Sequence, residues 1–173
     1  MEDETFRTRL VELLKKSRKA IRLYGTVVRN PRDPSSAFNE TQAQECRAVN
    51  SELLRLLSAA LDSPSIRKLT GDIFVIRDRF QQEWSSTEAE MVAKQQALSF
   101  TVQHGDFVKA ALLSNELVVL KARFQATQAV HHELNDVIKK SRVVLPTIEL
   151  SQVVPESSAP KVAKVIPLRR NEA

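Results

Sequence analysis

The feature that most constrains this chain is a heptad pattern that runs without a break from Ala110 to Leu145. A repeat of about 3.5 residues keeps one stripe of a helix against a partner helix while both supercoil. The pattern therefore predicts a long helix that packs against other helices. Its stripe holds apolar or small polar residues and one histidine, at Ala110, Leu113, Leu117, Leu120, Phe124, Thr127, His131, Leu134, Ile138, Ser141 and Leu145.

Similar stripes predict three further helices upstream. The four predicted segments are residues 4–29, 36–61, 64–103 and 107–144. The third segment keeps one register through Phe80 and then slips at Trp84. An extra step of this kind is typical of a stutter or of a break in the helix. Beyond the slip, the stripe is predicted to run through Trp84, Thr87, Met91, Leu98 and Val102.

Residues with particular backbone preferences separate the predicted helices. Two prolines shortly after residue 29 predict the end of the first helix, because the residue before a proline avoids helical angles. Ser63 and Pro64 predict the N-cap and the first position of the third helix. Gly105 is suited to the left-handed conformation that ends a helix, and Asp106 is suited to capping the next one.

The predicted fold class is all-α. We expect an elongated antiparallel helical bundle or coiled coil of about four helices over residues 1–145, followed by a disordered tail over residues 146–173. At 1.5 Å per residue, the last two helices would each be roughly 60 Å long and the first two nearer 40 Å. Either the third helix bends near Trp84, or the ends of the last two helices project beyond the others. We expect the second arrangement, which leaves the projecting ends available to a partner chain.

Composition narrows the functional classes. The chain has three glycines and lacks both common glycine-rich phosphate-binding motifs. Cys46 is the single cysteine, so an intrachain disulfide is impossible. The acidic N-terminus does not resemble a signal peptide, and no apolar run is long enough to span a bilayer. We therefore expect an intracellular, cytoplasmic protein that is neither secreted nor membrane-spanning, with a nuclear location left open.

No combination of residues predicts catalysis, a cofactor or a metal site. His131 has Leu134 and Asn135 at the positions where a second metal ligand on its own helix would lie. We interpret it as a polar core residue that sets helix register, and a site completed by another segment stays open. Cys46 lies on the apolar stripe of its helix, which is typical of a small core residue. We expect a protein that is not an enzyme.

Two further features are candidates for binding. Trp84 either anchors an interface or fills the gap where the register slips. The net charge of +5 is concentrated in the first helix, which has a basic face. Such a face binds anionic lipid or phosphate in some proteins, and in others it is only a solvated surface. Its residues are Lys15, Lys16, Arg18, Lys19 and Arg22.

Two segments resemble part of a known family. The stretch from Glu45 to Leu57, and the stretch from Ala110 to Phe124 with Ser-Asn-Glu-Leu at 114–117, are similar to helices of the GAT domain. That domain is a three-helix ubiquitin-binding module of sorting adaptors. Here a long predicted helix separates the two stretches, which departs from the order and spacing of the family. We therefore carry no site residue over from it.

The length of uncovered heptad favours an assembly role. We expect a non-catalytic helical subunit or adaptor that joins a larger multiprotein complex through coiled-coil packing, in a scaffold, tethering or regulatory role. Its partners would be proteins, in a hetero- or homo-oligomer. The alternative is a peripheral module that contacts anionic membrane lipid or nucleic acid through the basic first helix. The predicted interaction residues lie on the fourth helix, at Leu113, Leu117, Leu120, Phe124, His131, Leu134 and Ile138.

Overall fold

Four α-helices make up the described part of the chain. The structure is a computed structural model that describes residues 2–30, 32–33 and 35–142. The helices are α1 (Glu2–Tyr24), α2 (Ser36–Leu61), α3 (Ile66–Gln103) and α4 (Phe107–Lys140). Those residues contain no strand, so the all-α prediction is confirmed. The tail predicted for residues 146–173 lies outside the described residues.

The bounds of α2 agree with the prediction, whereas the other helices differ from it by a few residues. α1 ends at Tyr24 rather than at residue 29, because Gly25 and the β-branched residues that follow are poor helix formers. α3 begins at Ile66 rather than at residue 64, since the residue before Ile66 has extended angles of φ −93° and ψ 127°. α4 ends at Lys140 rather than at residue 144, and Arg142 has a positive φ of 51°.

The turn between α3 and α4 forms as the sequence predicts. Gly105 has a φ of 73°, in the left-handed region. The side chain of Asp106 accepts a hydrogen bond from the backbone N–H of Lys109 at 3.1 Å, which caps α4. The two residues reverse the chain direction within a short turn. α3 and α4 therefore form an antiparallel hairpin.

α2 and α4 lie at the centre of the bundle, with α1 packed on α2 and α3 packed on α4. Arg7 near the start of α1 donates to the carbonyl oxygen of Leu61 at the end of α2, at 3.2 Å. An ion pair of 2.7 Å joins Arg79 of α3 to Glu52 of α2. These contacts show that helices adjacent in sequence run antiparallel.

The apolar core lies where all four helices meet. Leu53 and Leu134 have no exposed surface there. Among the described residues, the core cluster includes no member between Phe80 of α3 and Ala126 of α4. We call this part of the molecule the base: α1, α2, α3 as far as residue 87, and α4 from residue 122.

α3 passes through the register slip without a break. Its helix is continuous from Ile66 to Gln103, with Trp84 inside it. A stutter of this kind changes which side chains point inward, but it preserves the backbone hydrogen bonds that define the helix. The ends of α3 and α4 project beyond the other helices, as expected.

Candidate interaction surface

The second half of α3 and the first half of α4 form an arm that extends from the base. Gln42 of α2 lies beside Gln125 of α4, with 3.5 Å between the side-chain nitrogen and oxygen. Because α2 begins only two turns before Gln42, α4 has no α2 alongside it before about residue 119. We define the arm as residues 88–121. Its α3 portion, residues 88–103, is about 24 Å long.

The inner faces of the two arm helices hold the arm together. An ion pair of 2.6 Å joins Lys94 to Glu116 across the hairpin. At the foot of the arm, Arg123 Nε donates to Glu83 at 2.9 Å. The inner face of α3 consists of the buried or half-buried residues Thr87, Met91, Lys94, Leu98 and Thr101.

One predicted inner residue of α3 is wrong. Val102 is 49% exposed, and Thr101 is buried in its place. After the slip at Trp84, steps of three and four lead through Lys94 and Leu98 to residue 101. The most apolar side chains at this spacing lead to Val102, whereas the inner face of the helix includes a lysine and a threonine.

The predicted interaction residues of α4 face other helices of the same chain. In the arm, Leu113, Leu117 and Leu120 are half-buried on the side that packs on α3, and Phe124 is half-buried just inside the base. In the base, His131, Leu134 and Ile138 are buried. This stripe is thus an internal contact. Association with another chain, if it uses the arm, has to use the outer faces.

A second stripe on α4 is covered in the base and exposed in the arm. Its covered part lies on the side of Gln125, which faces α2. The covered residues are Ala122, Ala126 and Val130, none more than 5% exposed. We call the continuation of this stripe into the arm the outer stripe. Its apolar members are Val119, Leu112 and Val108, which are 41%, 60% and 77% exposed.

The outer stripe is not among the features predicted from the sequence, although its signal is present there. From Val108 the same three- and four-residue steps run through Leu112, Asn115 and Val119 to Ala122. The pattern is less apolar than the inner seam, which is the stronger stripe on the same helix. The periodicity that predicts the inner seam is therefore also the signal for the outer stripe.

The rest of the arm surface is also apolar and carries little charge. Val92, Val102 and Phe107 are exposed on its other side. The rings of Phe100 and His104 stack with their centroids 3.9 Å apart. An exposed apolar surface of this kind is typical of a protein contact. The charged residues are concentrated near the foot of the arm, since Asp106 and Lys109 are the only Asp, Glu, Lys or Arg between residues 95 and 115. Over the whole arm they are Glu88, Glu90, Lys94, Asp106, Lys109, Glu116 and Lys121.

Trp84 lies where the arm joins the base, and it packs inside the chain. Its ring centroid is 6.0 Å from that of Phe124, 5.5 Å from that of His131 and 6.0 Å from that of His132. The indole N–H is buried and has no hydrogen-bond partner among the described residues. This geometry favours the gap-filling interpretation of Trp84 over that of an interface anchor.

The titratable groups of the core do not form a recognisable reactive site. Burial lowers the pKa of His131, whose Nε2 lies 3.1 Å from the amide nitrogen of Asn135. Burial also raises the pKa of the Cys46 thiol, which favours the less nucleophilic protonated form. In the part of the chain that the structure describes, no three His, Cys, Asp or Glu side chains lie close enough together to hold a metal ion.

The basic face of α1 is exposed. Lys16 forms an ion pair of 2.5 Å with Glu133 of α4, and the other four cations make no ion pair with a described residue. The opposite face of α1 is occupied, because Phe6 and Leu10 are buried in the core. α1 therefore cannot insert its apolar face into lipid while it stays in the bundle. Within the described residues, no helix combines the length and hydrophobicity needed to cross a membrane.

A shallow groove of about 230 Å³ lies between α1 and α4. Charges of both signs line it, including Arg9, Glu12 and Asp136. The Arg9 Nε atom is buried there without a hydrogen-bond partner among the described residues. The mixed charge gives the groove no preference for an anionic or a cationic ligand.

Comparison with known proteins gives this chain no relative. No protein-family model matches it, and no curated protein or solved structure matches it either.

Proposed function

We propose that this protein is a non-catalytic helical subunit or adaptor that joins a larger protein complex through the outer surface of its arm. The observation that carries the proposal is the exposure of large apolar side chains on a charge-poor hairpin. Phe100, Phe107 and Leu112 are each at least 60% exposed there. Burying one such side chain contributes about 1.5–3 kcal/mol. A partner that covers several of them gains enough free energy for stable binding.

The packing of the arm leaves only its outer faces for a partner. The inner seam is already covered, so the partner contacts the outer faces of a preformed hairpin. Helices laid along these faces would complete a three- or four-helix coiled coil. We place this role in the cytoplasm, where a single free cysteine such as Cys46 stays reduced.

Affinity purification of the tagged full chain from its native cells tests this proposal. The variant Val102→Glu/Leu112→Glu puts one charge on each outer face of the arm. We expect it to lose the proteins that co-purify with the wild type by about tenfold or more, because each substitution removes 1.5–3 kcal/mol or so of apolar burial. Quantitative mass spectrometry measures the loss.

The matched control is Val75→Glu, which alters a valine that is 69% exposed on α3 in the base. It should retain all co-purifying proteins. Circular dichroism should give the same helix content for the wild type and both variants. Equal recovery of the same proteins with the arm variant and with the control would contradict the proposed function.

A second candidate function is contact with an anionic surface through α1. Lys15, Arg18, Lys19 and Arg22 lie at helical spacing on one exposed face, which supports it. Since the apolar side of α1 is in the core, such contact would be electrostatic and would weaken steeply with salt.

Heparin chromatography of Lys15→Glu/Arg18→Glu/Lys19→Glu tests this second candidate. The variant should elute at much lower salt than the wild type, whereas Lys139→Glu at the end of α4 should change elution far less. Binding to anionic vesicles and to DNA then separates the two ligand classes. If the triple variant elutes like the wild type, the second candidate is wrong.

A further inference from the structure

Exposed apolar residues lie both on the arm and at the end of the base from which the arm extends. α1 ends and α2 begins at the level where the arm leaves the base, so the connection between them lies beside the foot of the arm. We call a set of three exposed apolar residues, two in this connection and one in the first turn of α2, the corner. They are Val27, Val28 and Phe38, which are 40%, 79% and 37% exposed. The outer stripe extends from the corner along the arm to its tip.

The outer stripe continues a contact that the chain already makes. In the base, α2 covers Ala122, Ala126 and Val130 of α4. The cover stops because α2 begins at Ser36, not because the stripe on α4 ends. A helix bound to the outer stripe would therefore continue the line of α2 and use the same three- and four-residue steps of α4.

We infer that the helix bound there belongs to a second copy of this chain. Two arms lie side by side in opposite directions about a two-fold axis, with outer stripe against outer stripe. A two-helix arm is half of a four-helix bundle, so two arms complete one. In such a pair, the same patch serves both copies. The inference rests on the proposed function, because it names the partner of the same surface.

The charges on the arm allow two copies of the arm to pack against each other. Over residues 88–121 the charges nearly balance, with three lysines at 94, 109 and 121 against the acidic residues Glu88, Glu90, Asp106 and Glu116. Lys94 and Glu116 already form an ion pair within the arm. Two arms therefore meet without the repulsion that opposes contact between surfaces of like charge. Two copies that packed instead through the exposed basic face of α1, in the base of each molecule, would repel each other.

The size of the surfaces indicates that the arm alone is not sufficient. Two helices side by side are roughly 20 Å wide, and over about 24 Å of length they cover roughly 500 Å². A stable interface buries about 800 Å² on each partner. The corner supplies further apolar area at the correct place, because the tip of an oppositely directed arm reaches it. Contact between each tip and the other corner is therefore part of the inference.

Sedimentation equilibrium on the full chain at micromolar concentrations tests the pairing. The expected mass is that of a dimer, twice 19.5 kDa. Leu112→Glu, in the outer stripe, should raise the dissociation constant about tenfold or more, since it places a charge in each half of the contact. Val92→Glu is the matched control, because Val92 is exposed on the opposite side of the arm and should leave the dimer intact.

Disulfide trapping tests the direction of the two arms. In a Cys46→Ala background, Val28→Cys/Val108→Cys places one thiol at the corner and one near the tip. Within one copy these positions are about 20 Å apart, too far for a disulfide. Oxidation should therefore give a covalent dimer on a non-reducing gel. Val28→Cys/Val92→Cys should give much less.

Each outcome supports the inference or overturns it. A chain that is monomeric throughout, yet captures another protein that Val102→Glu/Leu112→Glu loses, overturns the second copy and leaves the proposed function standing. A monomer that captures nothing through the arm overturns both. The Val108→Cys variant gives a third outcome. If it is a monomer and its new thiol is shielded from a maleimide reagent, residues 143–173 of the same chain cover the outer stripe, and the inference is overturned. A dimer that dissociates with Val92→Glu but not with Leu112→Glu likewise overturns the inference.

Discussion

The arm and the base share the heptad seam of α4, yet they bury it to different depths. In the base, Leu134 has no exposed surface, because α2 and α3 both pack around α4. In the arm, Leu117 lies on the same seam and is only half-buried, since α3 is the one neighbouring helix there among the described residues. The free energy of apolar burial follows the area removed from water. A heptad thus determines which face points inward, and the number of neighbouring helices determines how much that face stabilises the fold.

The same difference in burial predicts a difference in local stability between the arm and the base. The core cluster of the described residues belongs to the base, and the arm has Thr101 and Ala110 as its buried residues. Regions with few buried apolar contacts open at lower free energy than the core does. We therefore expect amide hydrogen exchange to be faster in the arm than in the base unless a partner covers the arm.

The largest effect should come from truncating one seam leucine in each of the two regions. Leu134→Ala should lower the free energy of unfolding by about 2–5 kcal/mol, since it leaves a cavity in the closed core. Leu117→Ala should cost about 1 kcal/mol, because less area is buried there and the arm can close around the gap. Urea denaturation measures both. Losses of equal size would show that the arm is as deeply buried as the base.

An intermediate effect is expected from two glycines of α3 and its turn. Gly105→Ala at the arm tip should destabilise by about 1 kcal/mol, because the φ of 73° is unfavourable for a residue with a Cβ. Gly71→Ala in the base should stabilise by about 0.5–1 kcal/mol, since no described atom beyond the adjacent residues and the nearby backbone of α3 lies within 4 Å of the added carbon.

Hydrogen exchange locates the effect of each glycine substitution. With Gly105→Ala, faster exchange should be confined to the arm, whereas Gly71→Ala should slow exchange in the base. A uniform change over the whole chain in both variants would mean that arm and base unfold as one unit.

The smallest effect concerns pH at the junction of arm and base. Burial is the main reason that the pKa of His131 lies below 6.5 in the folded state, with smaller contributions from His132 and Arg77. The unfolded chain therefore takes up the proton first as the pH falls. The contribution of His131 to stability is complete above about pH 6.5 and is lost as the pH falls toward its lowered folded-state pKa.

Urea midpoints measured on both sides of pH 6.5 check this linkage. His131→Leu should be as stable as the wild type or more so, and its midpoint should vary less over this range. His104→Gln, at the exposed arm tip, is the control and should keep the pH dependence of the wild type. A wild-type midpoint that is constant through this range would contradict the assignment.

The sequence predicted the helices well, but it predicted poorly which of their faces other helices cover. The local signals at the turn between α3 and α4 were correct: Gly105 ends α3 and Asp106 caps α4 as expected. Those at the start of α3 were wrong, since its N-cap is Ser65 rather than Ser63. Val102 was wrong, because after a stutter the inward position is determined by geometry and falls on Thr101. The outer stripe was missed, since exposure of Leu112 depends on where α2 begins in space, and no local pattern contains that distance. The predicted function remains a prediction.

By itself, the sequence determined that this chain is helical, where its helices turn, and which stripe of α4 faces inward. These are local properties, decided by side-chain periodicity and by backbone preferences within a few residues. The tertiary structure decided that the inner seam is used within the chain, and that a second stripe is covered by α2 in the base and exposed in the arm. The physical reason is that burial depends on which helices lie alongside, and this follows from their relative lengths and register in three dimensions.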